Sequence, residues 1–121
     1  MGFIDHAKVE IILFVNNMDP EVRFYRDVLG LPLRYPEGLD DYSDQMWVEF
    51  ALGDSVLALH GGAEAEPQED HQLVFWVEDV PQARAMITES GIEMGEVRPL
   101  EDGAPVSEGC DPEGHRFSIR A

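Results

Sequence analysis

Lysine is almost missing from this sequence. Lys8 stands alone, and arginines make up the rest of the 8 basic residues. Against them are 25 aspartates and glutamates, for a formal net charge of −17. A chain so acidic lacks the basic face that nucleic-acid phosphates require, and anionic membrane surfaces repel it. Cysteine is equally scarce: Cys110 is the single one, which excludes an intrachain disulfide and a multi-cysteine zinc site. No apolar run exceeds the length of Ile11 to Val15, too short to span a bilayer or form a signal-peptide core. His6 stands where an N-terminal myristoylation motif has Ser or Thr. These absences lead to the expectation of a cytoplasmic protein with neither nucleic acid nor membrane as partner.

What remains is ordinary core material. Hydrophobic residues make up 44% of 121 positions, enough for one domain or two small halves. Val9 to Val15 reads as a strand. Asp19-Pro20 reads as a helix start, with Val22, Tyr25 and Leu29 on one face and Gly30 as the stop. Leu31–Tyr35, Met46–Leu52 and Ser55–His60 complete a strand–helix–strand–strand–strand series. An acidic, aperiodic stretch at 62–70 follows and reads as a linker. The series then repeats: a strand over Gln72–Val77, a helix capped by Asp79 and closed by Gly91, strands at Ile92–Val97 and around Val106, the turn Asp111–Gly114, and a last strand Arg116–Arg120. The two halves match by spacing. Asn17 lies seven residues after Glu10, and Asp79 seven after Gln72. Ala58 and Ser118 correspond on the last strands. The fold class is therefore α+β: two pseudo-repeated βαβββ modules, residues 7–61 and 71–121, forming a curved, partly closed mixed β-sheet around a cavity within a single domain, 1–121.

The stretch Phe24-Tyr25-Arg26-Asp27-Val28-Leu29-Gly30-Leu31, with Trp47-Val48-Glu49-Phe50, Leu57-Ala58-Leu59-His60 and Asp111-Pro112-Glu113-Gly114, resembles the vicinal oxygen chelate superfamily. That superfamily includes glyoxalase I, extradiol dioxygenases and the bleomycin-resistance proteins. The resemblance covers about residues 7 to 120. It implies a homodimer. It also implies metal-ligand positions on the first and last strands of each module, which here read Glu10, Ala58, Gln72 and Ser118. Histidine is missing from both first strands and glutamate from both last strands, so the usual site is expected to be degenerate, with no metal cofactor. If a divalent ion (Zn, Ni, Mn or Fe) binds, the expected ligands are Glu10, His60 and Gln72. His71 would replace Gln72 only after a one-residue register slip.

Alternation places Glu10 and Phe14, Trp47 and Glu49, His60, Gln72 and Trp76, and Ser118 and Arg120 toward the cavity, as an organic-ligand site. For Trp47 and Trp76 core packing is the plainer alternative. For His60 it is a solvent-facing strand end, and for His115 plain exposure. Glu10 precedes an apolar run, where a carboxylate buried alone is costly. It needs Arg120, Gln72, a ligand cation or a metal. Three functions stand open. One is a small-molecule-binding protein that sequesters a cationic antibiotic or other organic ligand, as the resemblance to bleomycin-resistance proteins implies. The second is a metal-dependent enzyme of the glyoxalase type, either lyase/isomerase or dioxygenase. The third is a scaffold without a small ligand.

Overall fold

A computed structural model describes residues 2–4, 8–62, 64, 66–67 and 70–121. His6 and part of the acidic 62–70 stretch lie outside them. The chain divides into two compact units, Met1–Glu66 and Pro67–Ala121. The first holds β1 (Glu10–Phe14), α1 (Met18–Arg23), β2 (Leu33–Tyr35), β3 (Trp47–Leu52) and β4 (Ser55–His60). The second holds β5 (Leu73–Trp76), α2 (Val80–Glu89), β6 (Arg98–Pro99), β7 (Pro105–Cys110) and β8 (Arg116–Arg120). Each unit is thus one βαβββ module. The strands form two four-stranded sheets, ordered β1-β4-β3-β2 and β5-β8-β7-β6. Each sheet is mixed, as expected from the sequence, with one parallel pairing beside antiparallel ones.

The repeat extends to register. Parallel pairing sets Ile12 opposite Ala58 and Phe14 opposite His60 in the first unit. In the second it sets Val74 opposite Ser118 and Trp76 opposite Arg120. Parallel strands need a crossover connection, and the helix of each module supplies it.

One face of the first sheet carries Leu13, Val48, Phe50, Leu57 and Leu59. Tyr25 lies over it, its ring 6.1 Å from that of Phe50. Phe24 and Tyr25 are adjacent in sequence yet both buried. This follows from a π-helical turn, Phe24–Val28, that continues α1. The Leu29 amide reaches back five residues to the Phe24 carbonyl at 3.0 Å, and the widened turn lets consecutive side chains face inward.

The start of α1 differs from the expectation. Helix begins at Met18 after an extended Asn17, so Asp19 and Pro20 sit inside the first turn, where proline costs no hydrogen bond. Asp19 does other work. Its carboxylate accepts from Arg23 Nε at 2.6 Å and from the Tyr42 amide at 3.0 Å, tying the 36–44 loop to the helix. The Arg23 guanidinium, then the Tyr42 amide, hold this carboxyl below its ordinary range. A carboxyl depressed in the folded state adds stability above its unfolded pKa of about 3.9 and loses it as pH falls through the lower folded value. Asp19→Asn is expected to cost about 1 kcal/mol at pH 7. That gap should narrow as pH falls below about 4, as urea midpoints at pH 7 and pH 3 would measure.

In the second unit α2 starts as expected, with the Asp79 carboxylate accepting from the Gln82 amide at 3.0 Å. Gly91 follows the helix at φ 93°. The expected strand at Ile92–Val97 does not form. Among the described residues it makes one isolated bridge, Met94 to Gly109. Its Gly95 carbonyl serves side chains, with Arg84 Nε donating to it at 2.8 Å and Ser107 Oγ at 2.7 Å, and the Gly95 amide makes a single bond to Glu108 O at 2.8 Å. Met94 lies directly over Gly109, where an added Cβ would fall 2.4 Å from its Sδ and 3.2 Å from the Glu93 carbonyl. Gly109→Val is therefore expected to cost about 1–3 kcal/mol through overpacking, a loss that thermal unfolding would register.

The turn before β8 is built on Asp111. Its buried carboxylate accepts from the Glu113 amide at 3.0 Å, the His115 amide at 2.9 Å and His115 Nδ1 at 2.7 Å. His115 is therefore mostly enclosed, with its side chain 11% exposed, where the sequence suggested exposure. Turn composition alone hides this pair, because nothing local says that the Asp111 carboxylate points inward.

Candidate binding faces of the two sheets

Each sheet has a second face, opposite its helix. In the first unit the register brings Glu10, Ile12 and Phe14 of β1 beside Val56, Ala58 and His60 of β4, and these beside Ala51, Glu49 and Trp47 of β3. The expected residues Glu10, Phe14, Trp47, Glu49 and His60 thus share one face. Phe14 is 51% exposed. The His60 ring lies 5.2 Å from Phe14 and 5.7 Å from Trp47, between centroids. Its Nδ1 is 2.8 Å from the Gly61 carbonyl, and since a carbonyl only accepts, Nδ1 is the donor of that bond.

Glu49 is not a free carboxylate. Trp47 Nε1 donates to it at 2.7 Å, and Arg34 forms an ion pair with its other oxygen. Arg34 reaches it because β2 is irregular: Leu33 pairs with Phe50 but Tyr35 with Glu49, so two residues advance against one. Simple alternation misses such a bulge. Glu10 is exposed, not buried, and escapes the desolvation cost that set it apart in the sequence. It borders a depression of about 320 Å³ whose rim includes Lys8, Arg34, Asp54 and Ser55.

In the second unit the corresponding face carries Val74 and Trp76 of β5, Arg116, Ser118 and Arg120 of β8, and Val106, Glu108 and Cys110 of β7. Gln72 precedes β5 and is exposed. His71 is exposed too, 3.0 Å from Asp70. No register slip brings it into the strand. Ser118 is buried. Trp76 is 69% exposed, so it is not core, and the Arg120 guanidinium stacks over its ring at 4.2 Å. Glu108 sits between two arginines, paired with Arg98 and 3.3 Å from Arg116. Arg98 and Glu108 went unrecognised in the sequence because Gly103 and Pro105 interrupt the alternation around them.

The resemblance implies a divalent metal, and the donor chemistry at the positions it points to does not fit one. Ala58 offers no donor atom, Ser118 a neutral hydroxyl and Gln72 an amide, a poor set for a metal that prefers imidazole, thiolate or several carboxylates. His60 does not make up the difference with Glu10. Glu10 pairs with Val56, four residues from His60, a separation of about 13 Å along the strand.

No helix among the described residues is long and apolar enough to cross a membrane. Comparison with curated proteins returned no match. Solved structures are similar in fold. A glyoxalase family protein from Enterococcus faecalis has 22% identity and a TM-score of 0.76, with 100% of both chains covered. A lactoylglutathione lyase from Agrobacterium tumefaciens has 20% identity and a TM-score of 0.74, covering 97% of this chain and 94% of that one. TnmS3, an antibiotic binding protein from Streptomyces sp. CB03234, has 19% identity and a TM-score of 0.73, covering 99% and 98%. The family model for Glyoxalase/Bleomycin resistance protein/Dioxygenase matches residues 4–119. With nearly its whole length matched, and both units built on one strand order, the chain belongs to the glyoxalase/bleomycin resistance protein/dioxygenase superfamily.

Proposed function

We propose that this protein holds a small organic molecule through aromatic stacking and does not catalyse a metal-dependent reaction. The observation that carries this reading is Trp76, a large aromatic side chain exposed on a sheet face with its ring already stacked on Arg120. Large apolar side chains left on a surface mark binding sites when they gather on one face. Phe14 gives the first unit the same character. Sequestration of an antibiotic-like molecule is the finer form of the proposal, supported by the fold similarity to an antibiotic binding protein. A cationic ligand has less support than the sequence suggested, since Arg34 already pairs with Glu49 and lies beside Glu10.

The neutral probe 2-naphthamide tests the reading by calorimetry. Saturable binding is expected, about three- to tenfold weaker in Trp76→Ala, the range of one aromatic contact. A flat titration would overturn it.

A divalent-metal enzyme is the second reading, favoured by the His60 tautomer. A ring nitrogen held by a backbone carbonyl, with the other left free, is how metal-binding histidines are oriented. The donor sets described above weigh against it. After loading with zinc, nickel, manganese or ferrous iron and dialysis, elemental analysis is expected to find far less than one metal per chain. A stoichiometric metal that disappears in Glu10→Ala would reverse the ranking.

A further inference from the structure

In a chain of net charge −17, three of the 8 basic residues, Arg98, Arg116 and Arg120, share one sheet face of the second unit. Two of them have Glu108 between them. Arg120 differs. Its guanidinium stacks on Trp76 at 4.2 Å. Its Nε is buried and has no hydrogen-bond partner among the described residues. Its nearest described carboxylate, Asp102, is 3.8 Å away and 67% exposed, beyond hydrogen-bond reach. A buried guanidinium N–H without an acceptor is costly, and such a group calls for an explanation.

We propose that Arg120 receives the carboxylate of an aromatic ligand whose ring stacks on Trp76. Arginine offers a planar fork that takes a carboxylate through two parallel hydrogen bonds. The ligand ring takes the guanidinium's place on Trp76 and the guanidinium moves to that ring's edge, where a carboxylate engaging Nε and an adjacent Nη satisfies the donor that the chain leaves open. Asp102 is the internal carboxylate it displaces. It sits at the tip of the β6–β7 connection, where Gly103 donates to Leu100 O at 2.9 Å and Ala104 to the Asp102 side chain at 2.9 Å. An exposed, long ion pair of this kind is worth little, so displacement is cheap. Trp76 supplies the apolar half of the recognition and Arg120 the charged half. The proposal rests on the reading of this face as a ligand surface and gives that ligand its charge.

Three matched probes test it: 2-naphthoate, 2-naphthamide and 2-naphthylmethylammonium. Calorimetry is expected to show naphthoate binding about tenfold tighter than naphthamide, with the ammonium weakest. Arg120→Gln should abolish the naphthoate advantage over naphthamide. Asp102→Asn keeps a side-chain acceptor for the Ala104 amide, and should strengthen naphthoate several-fold while leaving naphthamide unchanged. In the wild type the Arg120 Nε–H resonance should shift with naphthoate alone. Equal affinity for the three probes, a naphthoate preference that survives in Arg120→Gln, or no gain in Asp102→Asn would overturn this inference and leave the stacking reading intact. Failure of all three probes to bind would overturn both.

Discussion

Phe50→Ala is expected to remove about 3–5 kcal/mol of folding stability, the cost of a large cavity in a packed core. Phe50 is fully buried in β3. It pairs with Leu57 of β4 and with Leu33 of β2, and the Tyr25 ring packs over it. The site cannot collapse easily, because strands hold it on both sides and the π-helical turn holds it from above. Domains of this size have about 5–15 kcal/mol in total, so the loss is a large fraction. Urea denaturation should show a much lower midpoint with an unchanged slope. Phe50→Leu keeps most of the volume and should lose far less. An alanine variant as stable as the wild type would mean that the π-helical turn does not cover this face as described.

Asp111→Ala is expected to cost about as much, for a different reason. The carboxylate is buried and accepts from two backbone amides and one imidazole nitrogen. Its removal leaves those donors without that acceptor in an enclosed place, at about 1–3 kcal/mol for each buried group left unsatisfied. Asp111→Asn keeps one acceptor oxygen and should fall between wild type and alanine. His115→Ala should cost less than Asp111→Ala, since the turn keeps its two amide bonds. Thermal unfolding of the three variants would rank them. The same ranking separates structure from chemistry. If the turn serves the fold alone, the folded fraction of each variant should still bind 2-naphthamide as the wild type does.

Much of the fold was legible in local sequence. The positive-φ glycines after each helix, Gly30 and Gly91, mark where the helices stop, since only glycine enters that region freely. Alternation on β1, β3 and β4 grouped Glu10, Phe14, Trp47, Glu49 and His60 on one face, because side chains on a strand have a period of two. Asp79 announced its helix because capping is satisfied within three residues. Local reasoning failed where a long-range partner decided the outcome. The Ile92–Val97 segment has strand-like residues, yet its Gly95 carbonyl is taken by Arg84 and Ser107. His115 looked like an exposed turn residue and is held by Asp111.

The candidate faces divide in the same way. The sequence by itself determined the repeat, the acidity and the loss of donors at Ala58 and Ser118, because these are matters of residue identity and spacing. Tertiary structure alone decided what each charge does. A bulge in β2 brings Arg34 to Glu49. Antiparallel pairing of β7 with its neighbours sets Glu108 between Arg98 and Arg116. Parallel pairing of β5 with β8 lays Arg120 on Trp76. Charges act over a few ångströms, and strand register sets which residues come that close. Register is fixed by pairings between distant segments, and no local pattern in the chain carries it.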